Sequence, residues 1–174
     1  MKNRAFTLIE LLVVVLIIGI LVAIAVPQYQ KAVLKADLHK GIPLVASICQ
    51  AQQAYYLAHG DFATTFEELD LTLPLNESCV KNETTTYYNY KCDFGRIGLY
   101  NDFSNVQFIT SNSQLAYLHQ LRELEISAYN MTFEAGKRYC FAKYGNETAK
   151  SVCQSMGGAY MGEASGYWVY YSLD

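Results

Sequence analysis

Glu10 is the side chain with the most unusual chemical setting in this sequence. It is the one ionisable residue between Phe6 and Val26, where every other residue except Thr7 is apolar. A carboxylate near the centre of a membrane helix costs about 2.5 to 3.5 kcal/mol in insertion assays, and less near an end. The residue therefore predicts either a partner of opposite charge or a position from which the carboxylate reaches the lipid headgroups.

Cysteine is the second residue type with defined chemistry, and the chain has 5. Cys79 and Cys92 bracket one polar segment, Cys140 and Cys153 bracket another of equal length, and Cys49 stands apart. Spacing alone leaves several pairings open. We favour the two local pairings, because they close short loops in a polar region that would face an oxidising compartment. The alternative is that all five thiols are reduced and buried.

No residue pattern predicts catalysis. The histidines His39, His59 and His119 are scattered, and the chain contains neither a His-Glu metal motif nor a glycine-rich phosphate loop. The four carboxylates of segment 61–70 are typical of a solvated face rather than of a calcium cage. We therefore expect no enzyme activity, no metal and no cofactor.

The charge balance argues against nucleic acid as a partner. The chain has 13 basic and 16 acidic side chains, for a formal net charge of -3. Such a chain lacks the basic excess that attracts a phosphate backbone, although a local basic patch at Lys137, Arg138 and Lys143 leaves DNA uptake as a weak option.

A long N-terminal helix must position Glu10. The apolar run from Phe6 to Val26 would be about 32 Å long as a helix, close to the roughly 30 Å of a hydrocarbon core. It exceeds the roughly 7 to 15 apolar residues of a secretory signal peptide. An amphipathic stripe continues to Tyr56, so the pattern predicts one helix over 6–58, bent near Pro27 and Pro43 and capped by Gly60.

The remainder, 59–174, predicts a polar head built on an antiparallel sheet. Short segments rich in tyrosine and β-branched residues alternate with turns. Segment 114–127 fits both strand and helix, and Asn146 predicts the cap of a helix over 146–158. The predicted strands are Thr85–Tyr90, Arg96–Tyr100, Val106–Thr110, Arg138–Tyr144 and Tyr167–Ser172. The fold class is therefore α+β.

The segment "A-FTLIE", after a short basic leader, resembles the type IV prepilins and the related pseudopilins. The apolar run that closes in Pro27 and the long helix behind it fit the same family, and the strongest match covers residues 5 to 31. The resemblance implies a long N-terminal helix, membrane-spanning over 6–26, packed on the antiparallel head. It also implies that residues 1–5 are a leader peptide.

The family resemblance also implies a processing site. A prepilin peptidase/methyltransferase would cut between Ala5 and Phe6 and methylate the new Phe6 amine. Alanine stands where the family usually has glycine before the cut. Because the cut precedes the apolar run, the membrane segment remains in the mature protein.

The same resemblance implies assembly roles for four residues. Thr7 and Glu10 follow the cut at the family's spacing, and the matching glutamate is thought to pair with the Phe6 amine of a neighbouring subunit. Gly19 and Pro27 occur where the helix loosens in assembled pilins. On their own, Gly19 and Pro27 are equally explained as a tolerated glycine and a kink.

The sequence thus predicts a structural subunit of a type IV pilus-like filament. Expected partners are identical or related pilin subunits, the peptidase, an inner-membrane assembly platform and the membrane. The expected location is the prokaryotic inner membrane, single-pass with the head outside the cytoplasm, and after assembly an extracellular pilus or periplasmic pseudopilus. Two alternatives stay open: a pseudopilin or minor pilin of a type II secretion or DNA-uptake system, and a monomeric membrane-anchored ligand-binding domain.

Overall fold

The N-terminal helix dominates the architecture. The computed structural model describes residues 6–73, 79–82, 89–100, 104–126, 130–164 and 166–173. Helix α1, Leu8–His59, has 52 residues and continues through Pro27 and Pro43. Each proline removes only one backbone donor, and the helix keeps its other bonds. Gly60 ends it with φ 79°, donating its N–H to the Tyr56 carbonyl at 2.8 Å.

Helix α1 has two halves with different surroundings. Every residue from Phe6 to Gln30 is exposed. The second half carries a buried stripe at helical spacing, made of Leu34, Leu38, Gly41, Leu44, Val45, Ile48, Cys49 and Gln52. Only this second half packs against the head.

The described part of the head contains ten strands and one further helix. The strands are β1 Val80–Lys81, β2 Tyr90–Lys91, β3 Gly95–Tyr100, β4 Asn105–Thr110, β5 Leu115–Gln120, β6 Leu124–Ile126, β7 Met131–Phe133, β8 Arg138–Lys143, β9 Ala159–Ala164 and β10 Trp168–Ser172. Eight of them form one antiparallel sheet in the order β1-β2-β3-β4-β5-β8-β10-β9, while β6 pairs only with β7. Helix α2, Glu147–Ser155, follows β8. The α+β class and the long-helix-and-sheet architecture are confirmed.

Several sequence-based boundaries need correction. Segment 114–127 forms strands β5 and β6 rather than a helix. Strands β1, β7 and β9 were not predicted. Most of the predicted strand Thr85–Tyr90 lies outside the described residues.

The sheet buries both of its faces. On β4, Val106 and Phe108 face α1, while Asn105, Gln107 and Ile109 point to the opposite face, which we call the far face. The far face is covered by the β6–β7 pair, which contributes Met131 and Phe133 to a second apolar core. The sheet is therefore a middle layer between α1 and a small hairpin.

Two disulfides link segments of the head. Cys79–Cys92 joins the segments that flank β1 and β2, and Cys140–Cys153 joins β8 to α2. The second bridge is fully buried in the core that α1 shares with the sheet. Both local pairings that the spacing favoured are present.

The loop after α1 is held by a buried amide. The Gln52 side chain donates to the Ala63 carbonyl at 2.9 Å and accepts from the Ala63 N–H at 2.8 Å. Since Gln52 is only 1% exposed, these bonds satisfy polar groups that water cannot reach.

Gly41 sets how closely α1 approaches the sheet. A Cβ atom at this position would lie 2.2 Å from the Phe108 ring. We predict that Gly41→Ala destabilises the head by about 1 to 3 kcal/mol through overpacking. Adding Phe108→Leu should recover part of that loss, because it removes the ring. Urea unfolding in detergent, followed by fluorescence of the single tryptophan, measures both effects.

Gly19→Ala is the matched control for this test. A Cβ at Gly19 meets nothing within 4 Å, so its unfolding midpoint should equal that of the wild type. A Gly41→Ala variant as stable as the wild type, or a double variant weaker than the single one, would contradict the packing argument.

Candidate assembly site at the start of the long helix

Thr7 and Glu10 cap the first turn of α1. Thr7 has extended backbone angles (φ -83°, ψ 151°), and its hydroxyl accepts from the Glu10 N–H at 3.3 Å. In return the Glu10 Oε2 accepts from the Thr7 N–H and from the Thr7 hydroxyl, both at 2.8 Å. This reciprocal pattern is a capping box. It provides acceptors for backbone N–H groups at the helix start that have no carbonyl partner within the helix.

The capping box orients the Glu10 carboxylate but uses only part of its hydrogen-bonding capacity. Both Thr7 donors reach Oε2 of Glu10. An ionised carboxylate offers about four lone-pair sites on its two oxygens. Glu10 thus keeps capacity for a further donor, and the Phe6 nitrogen is only one residue from the Thr7 N–H. The site is suited to hold a cation near the Phe6 end of the helix.

Apolar side chains surround this polar pair. Phe6 is 81% exposed and Leu8 is 88% exposed, and large exposed aliphatic residues continue to Val26. A continuous apolar surface of this length requires lipid or other apolar helices around it. By length and composition, α1 is the one helix in the described ranges that could cross a membrane.

The other predicted assembly residues lie farther along the helix. Gly19 has open space where a side chain would project, and Pro27 lies within continuous helix. At about 1.5 Å per residue, Pro27 is about 26 Å from Glu10, so the structure does not bring these positions together. Loosening between Gly19 and Pro27 stays a prediction about the filament. Ala5 lies outside the described residues.

Cys49 is the free cysteine, and it is buried in the core beneath α1. Burial away from water raises the pKa of its thiol from 9.0 to about 12. A thiol with such a pKa is protonated and unreactive at neutral pH. Cys49 is therefore a packing residue of the rod, far from the Thr7–Glu10 pair.

Three of the four acidic residues of segment 61–70 have partners in the head. Asp61 pairs with Arg122 and Glu67 pairs with Lys81, while Glu68 accepts from the Thr64 and Thr65 backbone at 2.7 and 3.0 Å. The described ranges contain no group of histidine, cysteine and acidic side chains placed to hold a metal ion.

Two family profiles match the chain. The prokaryotic N-terminal methylation motif matches residues 1–26, the region of the Thr7–Glu10 pair. The profile described as type IV pilin-like G and H matches residues 40–157, more than half of the sequence. The chain belongs to the type IV pilin-like G and H family.

Curated relatives of this pilin-like chain match over a limited stretch. A fimbrial protein of Neisseria meningitidis is 42% identical over 60 residues, which are 34% of this chain and 35% of the relative. A type IV major pilin protein PilE1 of Neisseria gonorrhoeae is 44% identical over 58 residues, 33% of this chain and 35% of the relative. The type II secretion system core protein G of Escherichia coli is 35% identical over 69 residues, 40% and 48% of the two chains. This chain thus spans about a third of the length of the two neisserial relatives.

The sequence contains a pattern that indicates the capping role of Thr7. Residues 7–10 read Thr-Leu-Ile-Glu, which matches the S/T-x-x-E pattern of a capping box directly before an apolar run. The family resemblance pointed to Thr7 by position, whereas the capping pattern gives the physical role of its hydroxyl.

Burial of Cys49 leads to a labelling prediction. We expect the folded chain in detergent to resist a maleimide at pH 8, and the urea-unfolded chain with its disulfides intact to take up one label. Because the folded pKa is raised, folding is favoured below the ordinary thiol pKa, and this contribution is lost as pH rises from 9.0 towards about 12. Intact-mass spectrometry counts the labels.

Cys49→Ser is the matched control and should take up no label in either state. Fast labelling of the folded wild type would contradict the burial of Cys49. More than one label on the unfolded chain would contradict the two disulfides.

Proposed function

We propose that this chain is the structural subunit of a type IV pilus-like filament. The observation that carries the proposal is the exposed apolar half of α1, which bears a capped carboxylate at its start. A soluble head with such a rod needs lipid before assembly and apolar neighbours after it. The role is structural rather than catalytic.

Processing would prepare the rod for assembly. A prepilin peptidase/methyltransferase cuts between Ala5 and Phe6 on the cytoplasmic side and methylates the Phe6 amine, removing residues 1–5 as a leader. The match of residues 1–26 to the methylation motif supports this step. The subunit then stays in the inner membrane through 6–26, with its disulfide-containing head outside the cytoplasm, where disulfides persist.

Assembly would be guided by the charge on Glu10. In the filament, the carboxylate pairs with the methylated Phe6 amine of a neighbouring subunit, and the surrounding helices exclude water. In that environment an unpaired charge is strongly penalised, so only the axial stagger that pairs the two charges is stable. Identical or related subunits and an inner-membrane assembly platform are the partners that this scheme requires.

A second candidate function has its own support. The similarity to the type II secretion system core protein G of Escherichia coli favours a pseudopilin or minor pilin of a secretion or DNA-uptake system. The charge pairing is the same in both cases, and the length and location of the filament distinguish them. A monomeric membrane-anchored binding domain would need no charge pairing at all.

Removing the charge of Glu10 tests polymerisation. We expect Glu10→Leu and Glu10→Gln to reduce sheared surface filaments more than about tenfold in the native host, because a neighbour's amine loses its partner. The glutamine variant keeps an oxygen acceptor for the capping box, so it separates charge from capping. The measurement is the amount of this chain in sheared filaments relative to the membrane fraction.

Glu123→Gln, an exposed carboxylate of the head, is the matched control and should assemble normally. Mass spectrometry should find every variant cut before Phe6 and methylated, which excludes a processing defect. Normal filaments from both Glu10 variants would contradict the proposal and favour the monomeric anchor. Filaments from the glutamine variant alone would assign the role of Glu10 to capping.

The segment from Gly19 to Pro27 gives a structural prediction about the filament. We expect its helix to loosen on polymerisation, since glycine and proline weaken it and neighbouring helices can satisfy the freed backbone groups. A cryo-EM map of the sheared filament measures this directly. Continuous helix from Gly19 to Pro27 in that map would contradict the prediction.

A further inference from the structure

The far face of the sheet contains a pocket that the assembly scheme does not use. It lies between strands β3, β4, β5, β8 and β10 and the β6–β7 pair, and its volume is about 360 Å³. Ligand pockets typically measure about 300 to 1,000 Å³. The α1 helix packs on the opposite face, so the pocket is separated from the rod by the sheet.

Three carboxamides form the polar part of this pocket. Asn105 and Gln120 are directly opposed on β4 and β5, and Gln107 follows on the same face of β4. Their residues are only 6%, 1% and 7% exposed, in the same order. Each carboxamide carries donors and an acceptor, so a group at this position can exchange hydrogen bonds with them. The arrangement suits a ligand with several hydroxyl or amide groups.

Aromatic rings form the opposite part of the wall. The Phe141 ring packs edge-on against Tyr170 at 4.6 Å between centroids and lies 6.4 Å from the Trp168 ring. Trp168 is half-buried and lines the pocket, whereas Tyr100 pairs with Asn105 and lies on the carboxamide side. These neighbours fix the rings, which offer flat apolar surfaces to a ligand.

The pocket wall carries no charged side chain among the lining residues that the structure describes. The Lys143 ammonium lies 5.6 Å from the Trp168 ring centroid and is not part of the lining. An ionic ligand would therefore lose its hydration without gaining a counterion in the wall, and a purely apolar ligand would place no hydrogen-bonding group against the carboxamides. The preferred ligand is neutral, with a polar edge and an apolar face.

We propose that this pocket binds a neutral saccharide of monosaccharide to small disaccharide size. A pyranose ring presents hydroxyl groups around its edge, which can form hydrogen bonds with the carboxamides. Its faces present C–H bonds, which can pack against the aromatic rings. Binding here leaves α1 and the Thr7–Glu10 pair untouched, so it is independent of filament assembly.

Ligand-observed saturation-transfer NMR on the full-length chain tests this proposal. The chain is solubilised in an amine oxide detergent, because sugar-based detergents would compete. The probes are D-glucose, D-galactose and N-acetyl-D-glucosamine, with N-acetylneuraminic acid as the anionic comparison. We expect at least one neutral sugar to bind saturably and more tightly than the anionic sugar.

Two variants locate the binding. Gln107→Met removes one carboxamide at similar volume, and Trp168→Leu removes one aromatic surface. Each should raise the dissociation constant about tenfold, as expected for the loss of one hydrogen bond or one ring contact. Gln154→Met, on an exposed position of α2 on the helix-facing side, is the matched control and should bind as the wild type does. Circular dichroism checks that each variant is folded.

Three results would overturn the proposal. They are the absence of saturable binding by every neutral sugar, unchanged affinity in folded Gln107→Met and Trp168→Leu, and equal or tighter binding of the anionic sugar. The last result would assign recognition to Lys143. Because the assay uses solubilised subunits, a failure of filament assembly does not affect it.

Discussion

This structure depends on one constraint: the two halves of a single helix, α1, require different surroundings. The residues from Phe6 to Gln30 are exposed, whereas the stripe from Leu34 to Gln52 is buried against the sheet. The second half therefore needs a wide apolar sheet face, which Val106 and Phe108 help provide at close range to Gly41. No described part of the head buries the first half, so its apolar surface requires lipid or other apolar helices.

The same constraint explains why the head has three layers. Since α1 occupies one face of the sheet, the other face must be covered by something else, and β6 and β7 supply a small lid of two short strands. Such a lid is smaller than the face it covers. A pocket lined by Gln107 and Trp168 remains between the sheet and this lid.

Sequence patterns predicted the elements that have a clear hydrophobic period or a composition typical of strands. The apolar run and the 3.6-residue stripe gave α1, and short segments rich in tyrosine and β-branched residues between turns gave β3, β4, β8 and β10. Segment 114–127 was ambiguous because Leu115, Leu118 and Leu121 also fit a helical period. Strand β9 was missed because it is a partly exposed edge strand with few β-branched residues. Contacts between residues far apart in the chain, such as Gly41 with Phe108, leave no pattern in the local sequence.

The geometry at Thr7 and Glu10 connects the physics of the isolated subunit with that of the proposed filament. In the subunit, the carboxylate is already oriented by two hydrogen bonds from Thr7 and retains lone pairs for another donor. A cation that approaches from a neighbouring helix would therefore meet an acceptor of fixed direction, and pairing would cost little side-chain entropy. In the proposed filament, capping and charge pairing would be complementary uses of one residue, and together they would account for a carboxylate in an otherwise apolar segment.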